Sequence, residues 1–214
     1  NCFFSSIRNN GCFAAETSLL MGDAGWTIDF AALEKTLADP RVKVLLFCSP
    51  HNPVSRVWTA DEIRRTAQIA HQAGVLFVCD EIHGEFVFGG SRYLPAAQVE
   101  GVDPLRTVIL TSPTKTFNLA GLEASCVILP DRERRHQLKA EMSRVSYEGR
   151  VNALGYKAME AAYTRCDQWL SQAIQAIHSN HRLLTEFLKE HCPDVKAAPL
   201  EGTYLQWLDL RALG

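Results

Sequence analysis

Lys115 closes the run Thr111-Ser112-Pro113-Thr114-Lys115, just past Thr107-Val108-Ile109-Leu110, which reads as a buried strand. Leu119-Ala120-Gly121-Leu122 and a second apolar run, Ala124 to Leu129, follow it. Most of the other six lysines stand in charged or polar stretches that read as solvated faces. Burial penalises an ammonium, so an amine set between hydroxyls and apolar residues is costly unless it is used. A lysine that forms Schiff bases needs this setting.

Other reactive groups stand at corresponding places in the chain. The apolar run 43–48 ends at Ser49-Pro50-His51-Asn52-Pro53, and the run 75–79 ends at Asp80-Glu81-Ile82-His83. Taken singly, each has an ordinary reading: Asp80-Glu81 as a helix N-cap pair, Asn52 and Ser112-Pro113 as turns, His83 as a loop histidine. In an open parallel sheet, however, ligands bind beyond the carboxyl ends of the strands. Asn52, Asp80, His83, Ser112 and Lys115, with His51, therefore bring an amide, a carboxylate, a hydroxyl, an amine and two imidazoles to one edge. A carboxylate and a strand-end lysine suit pyridoxal 5'-phosphate. Its aldehyde needs an amine, its pyridine nitrogen an anion, its ring hydroxyl a donor, and its phosphate hydroxyls and backbone N–H groups.

The elements that must position these groups read as α/β. The runs 43–48, 75–79 and 107–111 lack alternation, as strands buried on both faces do, and helical segments separate them. Asp29 predicts the cap of a helix from Phe30 to Leu37. Thr59-Ala60-Asp61-Glu62 is a capping box for a helix to about Ala73, with Gly74 as its stop. Asp131 opens a charged helix to about 144, followed by helices near 152–164 and 167–191. Residues 1–28 read as loop-rich, with turns at Asn9-Asn10-Gly11 and Gly22-Asp23-Ala24-Gly25. Val195 to Ala198 and Tyr204 to Leu208 read as half-exposed strands of a second unit.

The chain has 214 residues, 47% of them apolar, with a formal charge of −2 and a pI near 6.4. This balance argues against a nucleic-acid surface or an acidic tail. No apolar run approaches the roughly 18 residues of a membrane helix, and Asn1-Cys2-Phe3-Phe4 does not open a signal peptide. Seven cysteines without a C-x-x-C pair, three of them (Cys48, Cys79, Cys126) in apolar runs, read as small hydrophobes in a reducing, cytoplasmic setting. The seven histidines show no metal spacing. Both ends read as cuts through a longer protein.

At these same residues the sequence resembles fold-type I pyridoxal-phosphate enzymes of the class I/II aminotransferase superfamily, most closely the cystathionine β-lyase-like C–S lyases. The matching stretches are Phe3-Phe4-Ser5 through Asn9-Asn10-Gly11, Ser49-Pro50-His51-Asn52-Pro53 with Arg56-Val57-Trp58, Asp80-Glu81-Ile82-His83, Ser112 through Leu122, and Glu201-Gly202-Thr203-Tyr204-Leu205. They span nearly the whole chain in the family's order.

The resemblance implies a three-layer, mainly parallel large domain (residues 1–165) and a bridging helix with the start of a smaller α+β domain (166–214). It implies that Lys115 holds the cofactor and shuttles the proton. By the same resemblance Asp80 pairs with the pyridinium nitrogen, Asn52 and His83 serve the ring hydroxyl, and Ser112 binds the phosphate. It also implies a homodimer, a small amino-acid substrate with a β-thioether, no nucleic acid or membrane partner, and flanking segments that supply a glycine-rich phosphate loop, a ring-stacking aromatic and a substrate-gripping arginine. The fragment alone is expected to be inactive.

Two departures bear on the choice of activity. Aminotransferases usually carry a phosphate-binding arginine eight residues after the lysine, where this chain has Glu123, which favours a lyase over a transaminase. The usual Asn-Pro-Thr-Gly reads Asn52-Pro53-Val54-Ser55 here, which leaves its turn without the glycine. The alternatives carried forward are an aminotransferase and an aminotransferase-like ligand domain of a transcriptional regulator.

Overall fold

The structure, a computed structural model, describes residues 2–22, 25–147, 149 and 151–214. The stretch read as loop-rich instead begins with a short helix, α1 (Cys2–Asn9), and a hairpin of β1 (Leu19–Gly22) and β2 (Gly25–Ile28). Eight residues give too few turns for a helical period to stand out, and the hairpin strands are mostly half-exposed or exposed. Of the turn read at Gly22 to Gly25, Asp23 and Ala24 lie outside the described residues.

The caps act as the sequence implies. The Asp29 carboxylate accepts from the Ala32 N–H at 2.9 Å and starts α2 (Phe30–Leu37). At α3 (Ala60–Gln72), the Thr59 hydroxyl accepts from the Glu62 N–H while the Glu62 carboxylate accepts from the Thr59 N–H at 2.8 Å. Each bond satisfies an end group that the helix itself leaves without a partner.

The central sheet has the order β3 (Val44–Cys48), β4 (Leu76–Asp80), β5 (Thr107–Thr111), β6 (Cys126–Ile128). The β3–β4 and β4–β5 pairs are parallel, and β6 runs antiparallel to β5. Between β5 and β6 lies a one-turn helix, α4 (Pro113–Thr116). Side chains alternate across a strand, so Phe77 and Cys79 join Leu45, Phe47 and Ile109 in the core under α2 and α3. Val78, Val108, Leu46, Leu76 and Leu110 form a second apolar cluster with Leu129. That explains the lack of alternation, because both faces of each strand are apolar-packed.

Three helices follow: α5 (Arg132–Arg144), α6 (Ala153–Arg165) and α7 (Asp167–His191). A two-stranded sheet of β7 (Lys196–Ala197) and β8 (Leu208–Asp209) ends the chain. The reading of Tyr204 to Leu208 as a strand is thus corrected, since only Leu208 of that stretch pairs. Residues 201–205 instead reach back to the segments that follow β3 and β4. The Glu201 and Gly202 N–H groups donate to the Ser55 carbonyl, Phe88 N–H to the Glu201 carbonyl, and Thr203 N–H to the Phe86 carbonyl. Backbone demand from two other segments overrides the local alternation.

Gly202 shows how close that approach is. A Cβ there would lie 2.7 Å from Val57 Cγ2 and 2.8 Å from Pro50 Cβ, with the Phe86 carbonyl at 3.2 Å. Gly202→Ala is expected to destabilise the protein by about 1–3 kcal/mol through overpacking, read as a lower denaturation midpoint with an unchanged slope.

Candidate active site

The parallel register places the strand ends together: Cys48 pairs with Asp80 across β3–β4, and Asp80 with Leu110 across β4–β5. Asp80 is therefore the last residue of an inner strand, with the turns from the two neighbouring strands on either side. One turn begins at Ser49 and carries Asn52. The other begins at Ser112 and carries Lys115.

Lys115 lies on α4. Ser112 caps this turn by accepting from the Thr114 N–H at 3.0 Å, and its hydroxyl donates to the Ala124 carbonyl at 2.5 Å. The sequence places the lysine just past a strand end, and the structure adds that it rides a helical turn. The residue is half-buried, and among the described residues no hydrogen bond or ion pair holds its amine.

Asp80 is also half-buried. Burial pushes its carboxyl above the ordinary value, against the Ile82 N–H, which donates to Oδ1 at 3.2 Å and pulls it down. Among the described residues no cation pairs with it. His83 is only 2% exposed, and its Nδ1 is buried with no hydrogen-bond partner among the described residues. Burial first, and the nearby charge of Lys115 second, lower the His83 pKa to about 4. Asn52 stands exposed at the far side of the edge, with its side-chain amide unbonded among the described residues. His51 is held inside the β3 turn, edge-on to Trp58 at 5.8 Å, and burial lowers its pKa to about 4.

Both histidines are neutral at pH 7. Unfolded, each takes a proton near 6.5; folded, each holds out to about 4. Each therefore opposes folding progressively as pH falls between those values, because the unfolded state binds the proton first. In NMR the His51 and His83 imidazole signals of the full-length, cofactor-free protein are expected to stay in the neutral form below pH 6.

Among the described residues the arrangement is a half-buried amine without a hydrogen-bond or ion-pair partner, a carboxylate raised by burial without a cation, and an imidazole whose Nδ1 is unbonded, all at one sheet edge. The donor set fits a cofactor with an aldehyde, a basic ring nitrogen and a ring hydroxyl. The sequence reading missed three contributors. Glu85 accepts from the Thr116 hydroxyl at 2.7 Å. Tyr204 lies edge-on to His83 at 5.2 Å. Arg56 donates to Glu62 at 2.9 Å, to Glu201 at 2.5 Å and to the Trp26 carbonyl at 2.8 Å. Arg56 and Tyr204 lie in motifs singled out in the sequence, but Glu201 lies 145 positions from Arg56 and His83 lies 121 from Tyr204 (201 − 56 and 204 − 83), which spacing alone does not reveal.

The profile of the family described as "Aminotransferase class I and II" matches residues 7–213. This chain belongs to the class I and II aminotransferase family. Among family members it is 35% identical to the cystathionine beta-lyase PatB of Bacillus subtilis (strain 168) over 212 residues, 99% of this chain and 54% of that protein. It is 30% identical to the protein MalY of Escherichia coli (strain K12), over 100% of this chain and 54% of the other. The crystal structure of cystalysin from Treponema denticola, which contains a pyridoxal 5'-phosphate cofactor, superposes with a TM-score of 0.94 at 37% identity, over 99% of this chain and 53% of that one. The chain thus spans about half the length of the curated relatives it matches, and it has the fold the motifs implied.

Within this class I and II family chain, the two departures have structural expressions. Glu123 is exposed and left-handed (φ 51°) at the end of the turn after α4. Ser55, where the usual motif has glycine, keeps a left-handed backbone (φ 62°). That conformation is strained for a residue with a Cβ. Ser55 is fully buried, and its hydroxyl donates to the Leu205 carbonyl at 2.5 Å and sits 3.1 Å from the Thr203 hydroxyl. These bonds offset the strain and hold the turn in shape without the glycine.

Proposed function

We propose that the full-length protein is a pyridoxal-phosphate-dependent C–S β-lyase that cleaves cystathionine or a related cysteine S-conjugate, with Lys115, Asp80, Asn52, His83 and Ser112 as its cofactor-binding residues. The observation that carries this reading is the Lys115 amine, unpaired among the described residues, on the same edge as a carboxyl raised by burial and an imidazole whose buried Nδ1 is unbonded among those residues. The names of relatives such as PatB, and of solved neighbours including a PLP-bound C-S lyase from Staphylococcus hominis, support it.

Bound pyridoxal phosphate supplies an electron sink that makes an amino acid's α-proton removable. Asp80 gives the ring nitrogen the anion it needs, which relieves the carboxylate's burial without a partner. The His83 Nδ1 and the Asn52 amide would serve the ring hydroxyl. Ser112 reaches the phosphate only by exchanging its bond to the Ala124 carbonyl, so its contribution is the smallest of the five. Lys115 Nζ would hold the cofactor's aldehyde carbon until the substrate's amine displaces it, and the freed amine would then take the substrate's α-proton. The Cβ–S bond then breaks with its electron pair going to sulfur. A thiol leaves, and the three-carbon remainder hydrolyses to pyruvate and ammonia.

In this reading residues 1–165 are the large cofactor-binding domain, and 166–214 are the bridging helix and the start of the smaller domain. The whole protein is a cytoplasmic homodimer acting on a small β-thioether amino acid. Glu123, in place of a phosphate-binding arginine, favours elimination over transamination. Incubating the full-length protein and cofactor with cystathionine is expected to give pyruvate, ammonia and thiol in equal amounts. Conversion of the cofactor to its amine form with no pyruvate or thiol would establish the aminotransferase instead.

A further inference from the structure

We propose that Glu85 is a positioning residue for Lys115: through Thr116 it fixes the helical turn that carries the amine. The inference rests on the reading of Lys115 as the cofactor-holding lysine. A single turn of helix does not support itself, because fixing its dihedrals costs more than its few hydrogen bonds return. The turn Pro113–Thr116 must therefore be held from outside. Ser112 holds its start, through the Thr114 N–H and the Ala124 carbonyl. Thr116 holds its end: the residue is fully buried, and its hydroxyl donates to Glu85 Oε2 at 2.7 Å.

A hydrogen bond to an ionised acceptor is roughly twice as strong as a neutral one. Among the described residues Glu85 has no ion pair, so the carboxylate is not there to meet a cation. Its second oxygen accepts a longer bond from the Tyr163 hydroxyl of α6, at 3.4 Å. Phe117, next along the chain, packs edge-on against the same Tyr163 ring at 5.5 Å and against Trp169 at 6.0 Å. The end of the lysine turn is thus bound to α6 by one carboxylate and one aromatic contact.

Glu85 also belongs to the turn that follows Asp80, the last residue of β4, and carries His83. The Gly84 N–H donates to the Glu81 carbonyl, and the Phe86 N–H to that of His83, which keeps this turn compact. The Glu85–Thr116 bond therefore fixes the distance between the amine and the two residues it works with. A loosened turn would leave Lys115 chemically intact but misplaced, and displacements of about 1 Å can slow a reaction roughly 100-fold.

The test uses the full-length protein as wild type, E85A, E85Q, T116V and K115A, with pyridoxal phosphate added to the cofactor-free form. Two quantities are read: the rate at which the visible band of lysine-bound cofactor grows, and the visible circular dichroism per bound cofactor. The second reports the chromophore's orientation and is insensitive to a mere loss of stability. E85A and T116V are expected to slow the band by about tenfold or more and to change the dichroism. E85Q keeps a carbonyl oxygen for the Thr116 hydroxyl and is expected to stay within about threefold of wild type. T116V preserves side-chain shape, so it remains informative if E85A folds poorly. Wild-type rate and dichroism in T116V overturn the inference, provided K115A abolishes the band. A band that survives K115A overturns the reading of Lys115 and this inference with it.

Discussion

Replacing Lys115 by alanine in the full-length protein is expected to abolish the visible band formed with pyridoxal phosphate and to reduce pyruvate release from cystathionine by at least ~10³-fold. The size follows from two roles carried by one atom. On the proposed reading Nζ holds the aldehyde carbon and the same Nζ takes the α-proton, a proton-transfer role worth roughly 10²–10⁴ by itself. The fold should survive the change, because the amine is unbonded among the described residues and the turn is held by Ser112 and Thr116 rather than by the lysine. An unchanged melting temperature beside a lost band is therefore the expected pair of results. Lysine restored at position 115 and nowhere else should return both band and activity.

Asp80→Asn is expected to act in opposite directions on two measurements. Burial holds the Asp80 carboxyl above its ordinary value, and no cation balances it among the described residues. With the folded value raised, the charged form is penalised on folding at neutral pH, so asparagine should leave the cofactor-free protein as stable as wild type or slightly more so. On the proposed reading the carboxylate faces the ring nitrogen in the loaded protein, and losing a hydrogen bond to a charged group costs about 1.5–3 kcal/mol. Cofactor affinity should fall roughly 10- to 100-fold, measured by equilibrium dialysis, while the denaturation midpoint of the cofactor-free form does not fall. A loss of stability with unchanged affinity would make Asp80 a structural residue.

The central sheet was legible because its chemistry is redundant. Strands β3, β4 and β5 are apolar on both faces, so 43–48, 75–79 and 107–111 differ from the observed bounds by at most one residue at either end. Asp29, Thr59 with Glu62, and Asp131 mark helix starts by a local mechanism, a side-chain oxygen on a free N–H, that needs no knowledge of the rest of the chain. The convergence of Asp80, His83, Ser112 and Lys115 followed from one topological rule applied to those strands.

The unread parts depend on partners far away in sequence. Residues 204–207 alternate like a strand, yet Ser55, Phe86 and Phe88 claim the backbone of the preceding residues, and Tyr204 turns to pack against His83 and Phe86. Ser55 looked like a flaw in a glycine turn until Thr203 and Leu205 appeared beside it. Nothing in the sequence around Glu85 announces Thr116, 31 residues on.

The most direct measurement is to reduce the full-length protein with borohydride in the presence of pyridoxal phosphate, digest it, and locate the added cofactor mass. The account predicts that mass on one peptide, at Lys115. Cofactor fixed at a different lysine, or pyruvate formed from cystathionine by a protein that carries none, would contradict it.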